Sequence, residues 1–197
     1  IRTLGVDDPG EYCLSYGRSI LYEYISRVQL NTIDYSSVGD YYSNFSETVF
    51  TDLTLSESYT ITITPIFNGT VFDEGYAVWI DYNQDFDFDD PGELVWSKDP
   101  SQETLVSGSF VVPVDAPLGP TRMRVSFKYF DIPDPCEVFA FGEVEDYTVN
   151  ITDTEAPSTP SSLSALNITD STVELDWNAS IDNSGNVEYF VYQDGSF

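Results

Sequence analysis

Residues 59–64 have the sequence YTITIT, in which isoleucine alternates strictly with threonine. Alternation with a period of two places the apolar side chains on one face of a β-strand. The same pattern recurs in residues 108–112 (GSFVV) and 122–127 (RMRVSF). Residues 76–80 (YAVWI) are apolar throughout, which predicts a strand buried on both faces. Turn-forming residues separate these segments, so the sequence predicts an all-β, antiparallel β-sandwich of the jelly-roll type.

One segment fits two kinds of secondary structure. Ile20, Tyr24 and Val28 have helical spacing, whereas Ile20, Tyr22 and Tyr24 alternate as in a strand. All of these residue types favour strands, so both interpretations stay open at this point.

A proline-marked, polar segment divides the chain. Residues 152–160 (TDTEAPSTP) have the composition of a stiff linker, which predicts a first domain over residues 1–151. Residues 161–197 then form a separate unit, in which 173–177 (VELDW) is a predicted strand with Val, Leu and Trp on one face.

Charge and composition exclude several functions. The 197 residues include 34 acidic and 7 basic side chains, a net charge of -27, which repels nucleic acid and anionic lipid. No segment is apolar enough for a membrane span. The chain has no histidine, which removes Ser-His-Asp catalysis and histidine-ligated zinc. We therefore expect a non-catalytic protein that binds neither nucleic acid nor membranes.

Residues 81–93 (DYNQDFDFDDPGE), here called the acidic loop, follow a predicted buried strand. Oxygen-bearing side chains at alternate positions can converge on one hard cation, which predicts calcium as the cofactor. The expected ligands are Asp81, Asn83, Asp85, the carbonyl of Asp87, and either Asp89 or Glu93. The alternative is a solvated loop without a metal.

Two carboxylates are predicted to face the core of the sandwich. Glu143 and Glu145 share a strand face with apolar residues, and a buried charge there needs a partner. We expect structural ion pairs with Arg122 and Arg124, which alternate on another strand. A second metal site or a glycosidase carboxylate pair are the alternatives.

Aromatic residues are unusually frequent, at 15% of the chain. Rings held on a sheet or its loops can stack on sugars, and the candidate ligand-binding residues are Tyr42, Phe86, Trp96 and Tyr129. Packing in the core is the alternative for each of them.

The two cysteines, Cys13 and Cys136, are too few for a zinc cluster and too far apart in sequence for a redox motif. They either form a long-range disulfide, which would indicate an extracellular protein, or are two unrelated buried thiols.

Several motifs together resemble the GEVED domain across about residues 12–151. They are YC (12–13), EYI (23–25), WIDYNQD (79–85), TRMRV (121–125), Cys136 and GEVEDY (142–147). The resemblance implies a non-catalytic accessory module of a large secreted or cell-surface bacterial protein, with an attached catalytic domain. It also implies that Cys13 pairs with Cys136. Phe86 departs from the family pattern, which has glycine at that place in the loop.

Residues 156–177 and 191–196 are similar to a bacterial fibronectin type III domain. The resemblance implies a second, immunoglobulin-like sandwich, of which about half is present, with Trp177 as one of its core residues.

The function that these observations favour is binding of a polysaccharide, which would hold the attached catalytic domain at its substrate. One alternative is a structural or adhesion spacer that calcium stiffens. Another is a substrate-targeting module of a secreted peptidase.

Overall fold

The computed structural model describes residues 10–185 and 187–192. It consists of two compact units, the first ending at Thr152 and the second beginning at Asp153. The described residues of both units form strands, turns and loops without any helix, which confirms the all-β class.

Residues 10–152, the described part of the first unit, contain twelve strands. In chain order they are β1 (Tyr16–Gly17), β2 (Glu23–Leu30), β3 (Ile33–Ser36), β4 (Tyr42–Asn44), β5 (Phe50–Thr54), β6 (Ser58–Phe67), β7 (Glu74–Ile80), β8 (Leu94–Ser101), β9 (Val106–Val111), β10 (Gly119–Tyr129), β11 (Val138–Phe139) and β12 (Gly142–Thr152).

Two sheets form the sandwich. The larger has the order β4-β12-β10-β7-β8, with β5 also paired to β12, and the smaller has the order β3-β2-β6-β9. Neighbours are antiparallel except that β4 and β5 run parallel to β12. A short parallel pair, β1 with β11, lies outside the two sheets.

The core lies between the sheets and follows the predicted alternation. In β6, Ile61 and Ile63 are fully buried and the threonines beside them are not. Every residue of β7 is buried. The apolar run 76–80 predicts this for five of them, and the burial extends to Glu74 and Gly75. Tyr76, Val78 and Ile80 face the core, whereas Ala77 and Trp79 pack on the outer face with Phe88 of the acidic loop.

The ambiguous segment near residue 24 is a strand, β2. Its register shifts between Ile25 and Arg27, which is characteristic of a β-bulge. The extra residue lets Ile25 and Val28, three positions apart, both enter the core. The bulge accounts for the three-residue spacing of Ile25 and Val28, whereas Tyr24, which has helical spacing with Ile20 and Val28, is only half-buried.

In the second unit, β13 (Ser161–Leu166) pairs antiparallel with β14 (Glu174–Asn178). Leu175 and Trp177 lie on the less exposed face of β14, and Trp177 contacts Tyr189 edge-on at 5.3 Å between ring centroids. Residues 193–196, part of the predicted likeness to fibronectin type III, lie outside the described residues. That likeness stays a prediction.

Candidate functional site

The acidic loop begins at a buried carboxylate that organises the backbone. Asp81 has no exposed surface. Its Oδ1 accepts hydrogen bonds from the amides of Gln84 (2.7 Å) and Asp85 (3.3 Å). Its Oδ2 accepts from the Tyr12 hydroxyl (2.6 Å) and the Phe86 amide (3.1 Å). With four donors on two oxygens, the carboxylate of Asp81 is fully engaged in holding the loop.

A second buried carboxylate closes the loop from its far end. Glu93 accepts hydrogen bonds from the amides of Tyr82 (3.0 Å) and Asp90 (3.3 Å). Burial raises the pKa of Glu93 to about 7. Both ends of the predicted ligand set, Asp81 and Glu93, therefore bind the backbone of the loop in this structure.

Three other carboxylates converge at the tip of the loop. Oxygens of Asp85, Asp87 and Asp90 lie within 4.8 Å of one another. The Asn83 amide nitrogen donates to Asp85 Oδ2 (2.9 Å) and to Asp90 Oδ2 (2.6 Å). Asp89 contributes its backbone amide, which donates to Asp87 Oδ1 (2.9 Å). The structure thus brings together Asn83, Asp85 and Asp87 of the predicted set and adds Asp90.

Sequence reasoning missed Asp90 because its position depends on a turn. Pro91 and Gly92 reverse the chain after Asp90, and Gly92 adopts a φ of 101°. Phe86 adopts a φ of 75°, so the backbone keeps the left-handed conformation that the usual glycine would adopt. Glycine and proline at 91–92 were the available signal that the chain folds back there.

The residues at the loop tip suit a hard cation chemically. Three carboxylates this close repel one another unless a positive charge lies between them. Within the described part of the chain, no lysine or arginine forms an ion pair with any of the three. Rotation of the Asn83 amide would replace its nitrogen by an oxygen ligand. Carboxylate and amide oxygens are the ligand atoms that Ca²⁺ prefers.

The predicted ion pairs between Arg122 or Arg124 and the two glutamates are wrong in their partner. Arg124 forms a bidentate pair with Asp146, with both nitrogen–oxygen distances at 2.8 Å. Arg122 Nη1 also reaches Asp146 Oδ2, at 3.1 Å. The register places Arg124 directly opposite Asp146 on the outer face, so the arginines point away from the glutamates.

Glu143 and Glu145 lie on the buried face, as the alternation predicts, and bind polar groups of β2, of the segment that follows β3 and, for Glu145, of their own strand. Glu143 accepts from the amides of Ile25 and Asp40, both at 2.8 Å. Glu145 accepts from the hydroxyls of Ser37 and Tyr147, both at 2.7 Å. Burial raises the pKa of Glu143 to about 8 and that of Glu145 to about 7.

The predicted disulfide is confirmed. Cys13 and Cys136 are bonded, with 5.4 Å between their Cα atoms. Arg124 Nη1 donates to the carbonyls of Cys13 (3.0 Å) and Pro135 (2.8 Å) beside the bond. One buried guanidinium therefore joins the disulfide to the outer face of β10 and β12.

The four predicted ligand-binding rings lie in different places. Tyr42 is half-buried and its hydroxyl donates to Asp146 Oδ2 at 2.9 Å. Trp96 packs on the core and covers Gly108. Phe86 is exposed on the acidic loop and its ring contacts that of Tyr12 at 5.6 Å. These three rings do not form a common surface.

Tyr129 belongs to a cluster of five rings, here called the aromatic patch. Its members are Tyr22, Phe72, Tyr129, Phe130 and Phe141, with centroids of contacting rings 5.5–6.1 Å apart. Tyr22, Tyr129 and Phe130 are 43%, 40% and 67% exposed. Three of the five, Tyr22, Phe72 and Phe141, were not recognised from the sequence because they come from separate loops. The adjacent pair Tyr129 and Phe130 was the one local signal.

Parts of the chain are similar to known proteins. A curated protein, Chitinase Chi52 of Paenibacillus xylanexedens, is 51% identical over 43 residues, which cover 22% of this chain and 8% of the chitinase. The chain therefore matches a small fraction of that relative's length. The described residues contain no helix that could cross a membrane. Residues 75–150, the segment that runs from β7 through most of β12, match the family model of the GEVED domain.

Proposed function

We propose that this chain is a non-catalytic accessory module of a chitinase-like extracellular protein, and that it binds a neutral polysaccharide through the aromatic patch. Chitin is the first candidate ligand, because a relative of part of the chain is a chitinase. The module would hold an attached catalytic domain close to its substrate. The disulfide supports an extracellular location.

The aromatic patch is the observation that carries this proposal. Tyr129 contacts Phe72 and Phe141 edge-on, at interplanar angles of 90° and 81°. Each ring is therefore held by its neighbours, so it loses little conformational freedom when a ligand binds. Exposed, rigid aromatic surfaces on soluble proteins mark binding sites, and a sugar ring can stack on such a face.

Charge favours a neutral ligand. The net charge of -27 repels sulfated and uronic polymers. Lys128, next to Tyr129 in sequence, is bonded to Asp131 (3.2 Å) and Glu137 (2.8 Å). Its ammonium is therefore neutralised within the protein and offers no free positive charge to an anionic glycan.

The paired glutamates support a non-catalytic role. Both oxygens of Glu143 and of Glu145 accept hydrogen bonds from protein groups, three of them from the opposite side of the core and one from Tyr147 on the same strand. A catalytic acid or nucleophile must instead face a space that a substrate can enter.

The test is a binding assay of the full chain on insoluble chitin, with cellulose in parallel. We expect the Tyr129→Ala/Phe130→Ala variant to lose at least about tenfold in affinity, since each lost aromatic anchor removes on the order of 1–2 kcal/mol. Phe50→Ala, which removes another exposed ring from the edge strand β5, is the matched control and should bind normally.

Two negative outcomes of this binding assay lead to different conclusions. Equal binding by the patch variant and the wild type would reject the aromatic patch as the site. If the wild type binds neither polymer, the spacer role gains support. The disulfide and the network around Asp146, which brace the first unit, would then be its main feature.

We further propose that the tip of the acidic loop binds Ca²⁺ through Asp85, Asp87 and Asp90, with Asn83 beside them. The cation would relieve the repulsion among the carboxylates, while Asp81 and Glu93 hold the backbone. Calorimetric titration of chelator-treated protein tests this. Asp85→Asn/Asp87→Asn should remove the heat of binding at this site, and Asp99→Asn on strand β8 is the control. An unchanged titration of the double variant would reject the site.

A further inference from the structure

Two buried glutamates at the opposite end of β7 from the acidic loop lack partners. Glu23 begins β2 and Glu74 begins β7, and their exposed fractions are 1% and 0%. None of their four carboxylate oxygens has a hydrogen-bond partner among residues 10–185 and 187–192. Among the described residues of this unit, the other buried carboxylates each accept at least two hydrogen bonds. They are those of Asp81, Glu93, Asp146, Glu143 and Glu145.

The two glutamates come from facing sheets and lie close together. Tyr22, which precedes Glu23, and Tyr129, the cross-strand partner of Glu74, both contact the ring of Phe72. Because β2 and β7 belong to opposite sheets, the two side chains approach each other across the sandwich. The charge of Glu23 adds to the effect of burial in raising the pKa of Glu74 to about 8.

Two buried hydroxyls at the same place also lack partners. Tyr76 follows Glu74 by two residues, so it lies on the same face of β7 and is fully buried. Ser101 lies directly opposite Glu74 in the pairing of β7 with β8. Neither hydroxyl oxygen has a hydrogen-bond partner within the described residues. Four carboxylate oxygens and two hydroxyl oxygens are thus gathered, unsatisfied, at one end of the core.

Such a group is costly unless something occupies the space between the oxygens. A buried carboxylate needs a counter-charge or a proton, and a protonated carboxyl still needs an acceptor for its hydrogen. Two basic residues lie near in the register, Lys128 opposite Gly75 and Lys98 opposite Tyr76. The ammonium of Lys128 is bonded to Asp131 and Glu137, and that of Lys98 to Glu103 at 2.9 Å. The protein groups described here therefore leave the six oxygens without donors.

From this arrangement we infer that Glu23 and Glu74 hold a Ca²⁺ ion between the two sheets, with the hydroxyls of Tyr76 and Ser101 as further ligands. Six oxygens from hard donors match the lower end of the coordination numbers of Ca²⁺. The site is separate from the acidic loop, because the seven residues of β7 between them span about 20 Å. It lies beneath the aromatic patch, since Tyr22 and Tyr129 flank the two glutamates. The ion would fix the strand ends that carry those rings.

The experiment counts calcium ions on the full chain, by native mass spectrometry of the purified protein and by calorimetric titration after chelator treatment. The first variant is Asp85→Asn/Asp87→Asn, which disables the exposed loop. This variant should still bind one Ca²⁺, whether or not the loop itself binds metal. A loop variant that binds no Ca²⁺ would overturn the inference.

The second variant, Glu23→Gln/Glu74→Gln, is made in that loop background and should bind no Ca²⁺. The control in the same loop background is Glu103→Gln, which changes a nearby but exposed carboxylate and should leave the one remaining Ca²⁺ bound. Retention of Ca²⁺ by a folded Glu23→Gln/Glu74→Gln protein would contradict the site. If that protein does not fold, Tyr76→Phe/Ser101→Ala replaces it, with an expected loss of about tenfold in affinity. An unchanged affinity of this substitute would equally overturn the site.

Discussion

Asp146 accepts hydrogen bonds from three side chains at once, those of Arg124, Arg122 and Tyr42. Its carboxylate and the Arg124 guanidinium are both almost completely buried. Buried ion pairs contribute little over an apolar core of the same shape, but removing one partner is costly because the other charge stays buried. The rings of Tyr12 and Phe88 lie over the two guanidiniums at 4.7 and 5.0 Å and keep water away from them.

We therefore expect Asp146→Asn to lower the free energy of unfolding by about 3–5 kcal/mol, because it leaves Arg124 buried without a counter-charge. Urea unfolding followed by tryptophan fluorescence measures this. Asp34→Asn, which breaks the exposed pair of Asp34 with Arg27, is the matched control and should change little. Equal effects of the two substitutions would refute the importance of burial here.

Glu145 makes stability depend on pH. Its folded-state pKa of about 7 lies above the ordinary value of 4.5, chiefly because of burial. Between about pH 4.5 and 7 the folded state therefore keeps a proton that the unfolded state has released, and the stabilisation is complete only below about pH 4.5. The contribution declines as pH rises through 7, by up to about 3 kcal/mol.

Glu145→Gln should flatten this dependence without unfolding the protein. A glutamine amide can donate to Ser37, whose hydroxyl then donates to the Ile25 carbonyl, and can accept from Tyr147. The measurement is the melting temperature of both proteins between pH 5 and 9. The wild type should lose more stability over this range than the variant. Parallel curves would show that Glu145 does not titrate there.

At the scale of strands, Gly142 fixes how β12 begins. Its φ is 121°, and an added Cβ would lie 2.1 Å from the Phe127 carbonyl oxygen. Gly17 packs against the same turn, where a Cβ would lie 1.8 Å from the Gly142 carbonyl oxygen. The first glycine of the GEVEDY segment is therefore required by both conformation and close packing.

Gly142→Ala should cost several kcal/mol, because backbone strain and a steric clash add together. Gly69→Ala separates the two effects, since Gly69 has a φ of 123° and open space where its Cβ would be. We expect the control to cost only about 1–2 kcal/mol. Chemical denaturation of both variants tests this, and similar losses would show that the close contact with Phe127 contributes nothing.

Strands were the level at which the sequence was most informative. Alternation in residues 59–64 and continuous apolarity in residues 76–80 identified which side chains are buried, because these patterns depend only on the local period. The pairing partners of Arg124 and Glu145 depend on register between strands that are distant in sequence. Local alternation shows that a residue faces inward or outward, but does not say what lies opposite. For the same reason, the aromatic patch and the Glu23–Glu74 pair, each assembled from several strands, could not be predicted.

For the first unit as a whole, the disulfide is the connection that spans the largest part of the chain, joining residues 123 positions apart. The segment that carries Cys13 is also held without it. Tyr12 donates to Asp81, the Cys13 carbonyl accepts from Arg124, and the Tyr16 amide donates to the Glu137 carbonyl at 3.1 Å. The native arrangement of this segment therefore does not depend on the sulfur–sulfur bond alone.

Replacing both cysteines by serine should accordingly lower stability mainly through the unfolded state. The loop-entropy relation gives a loss of about 4–5 kcal/mol for a loop of this length. Because the unfolded chain without the cross-link is more extended, the dependence of unfolding free energy on urea should become steeper. The folded variant should keep its near-ultraviolet circular dichroism. Loss of the folded spectrum in the absence of denaturant would instead show that the bond holds the outer layer of Tyr12, Phe88 and Arg124 in place.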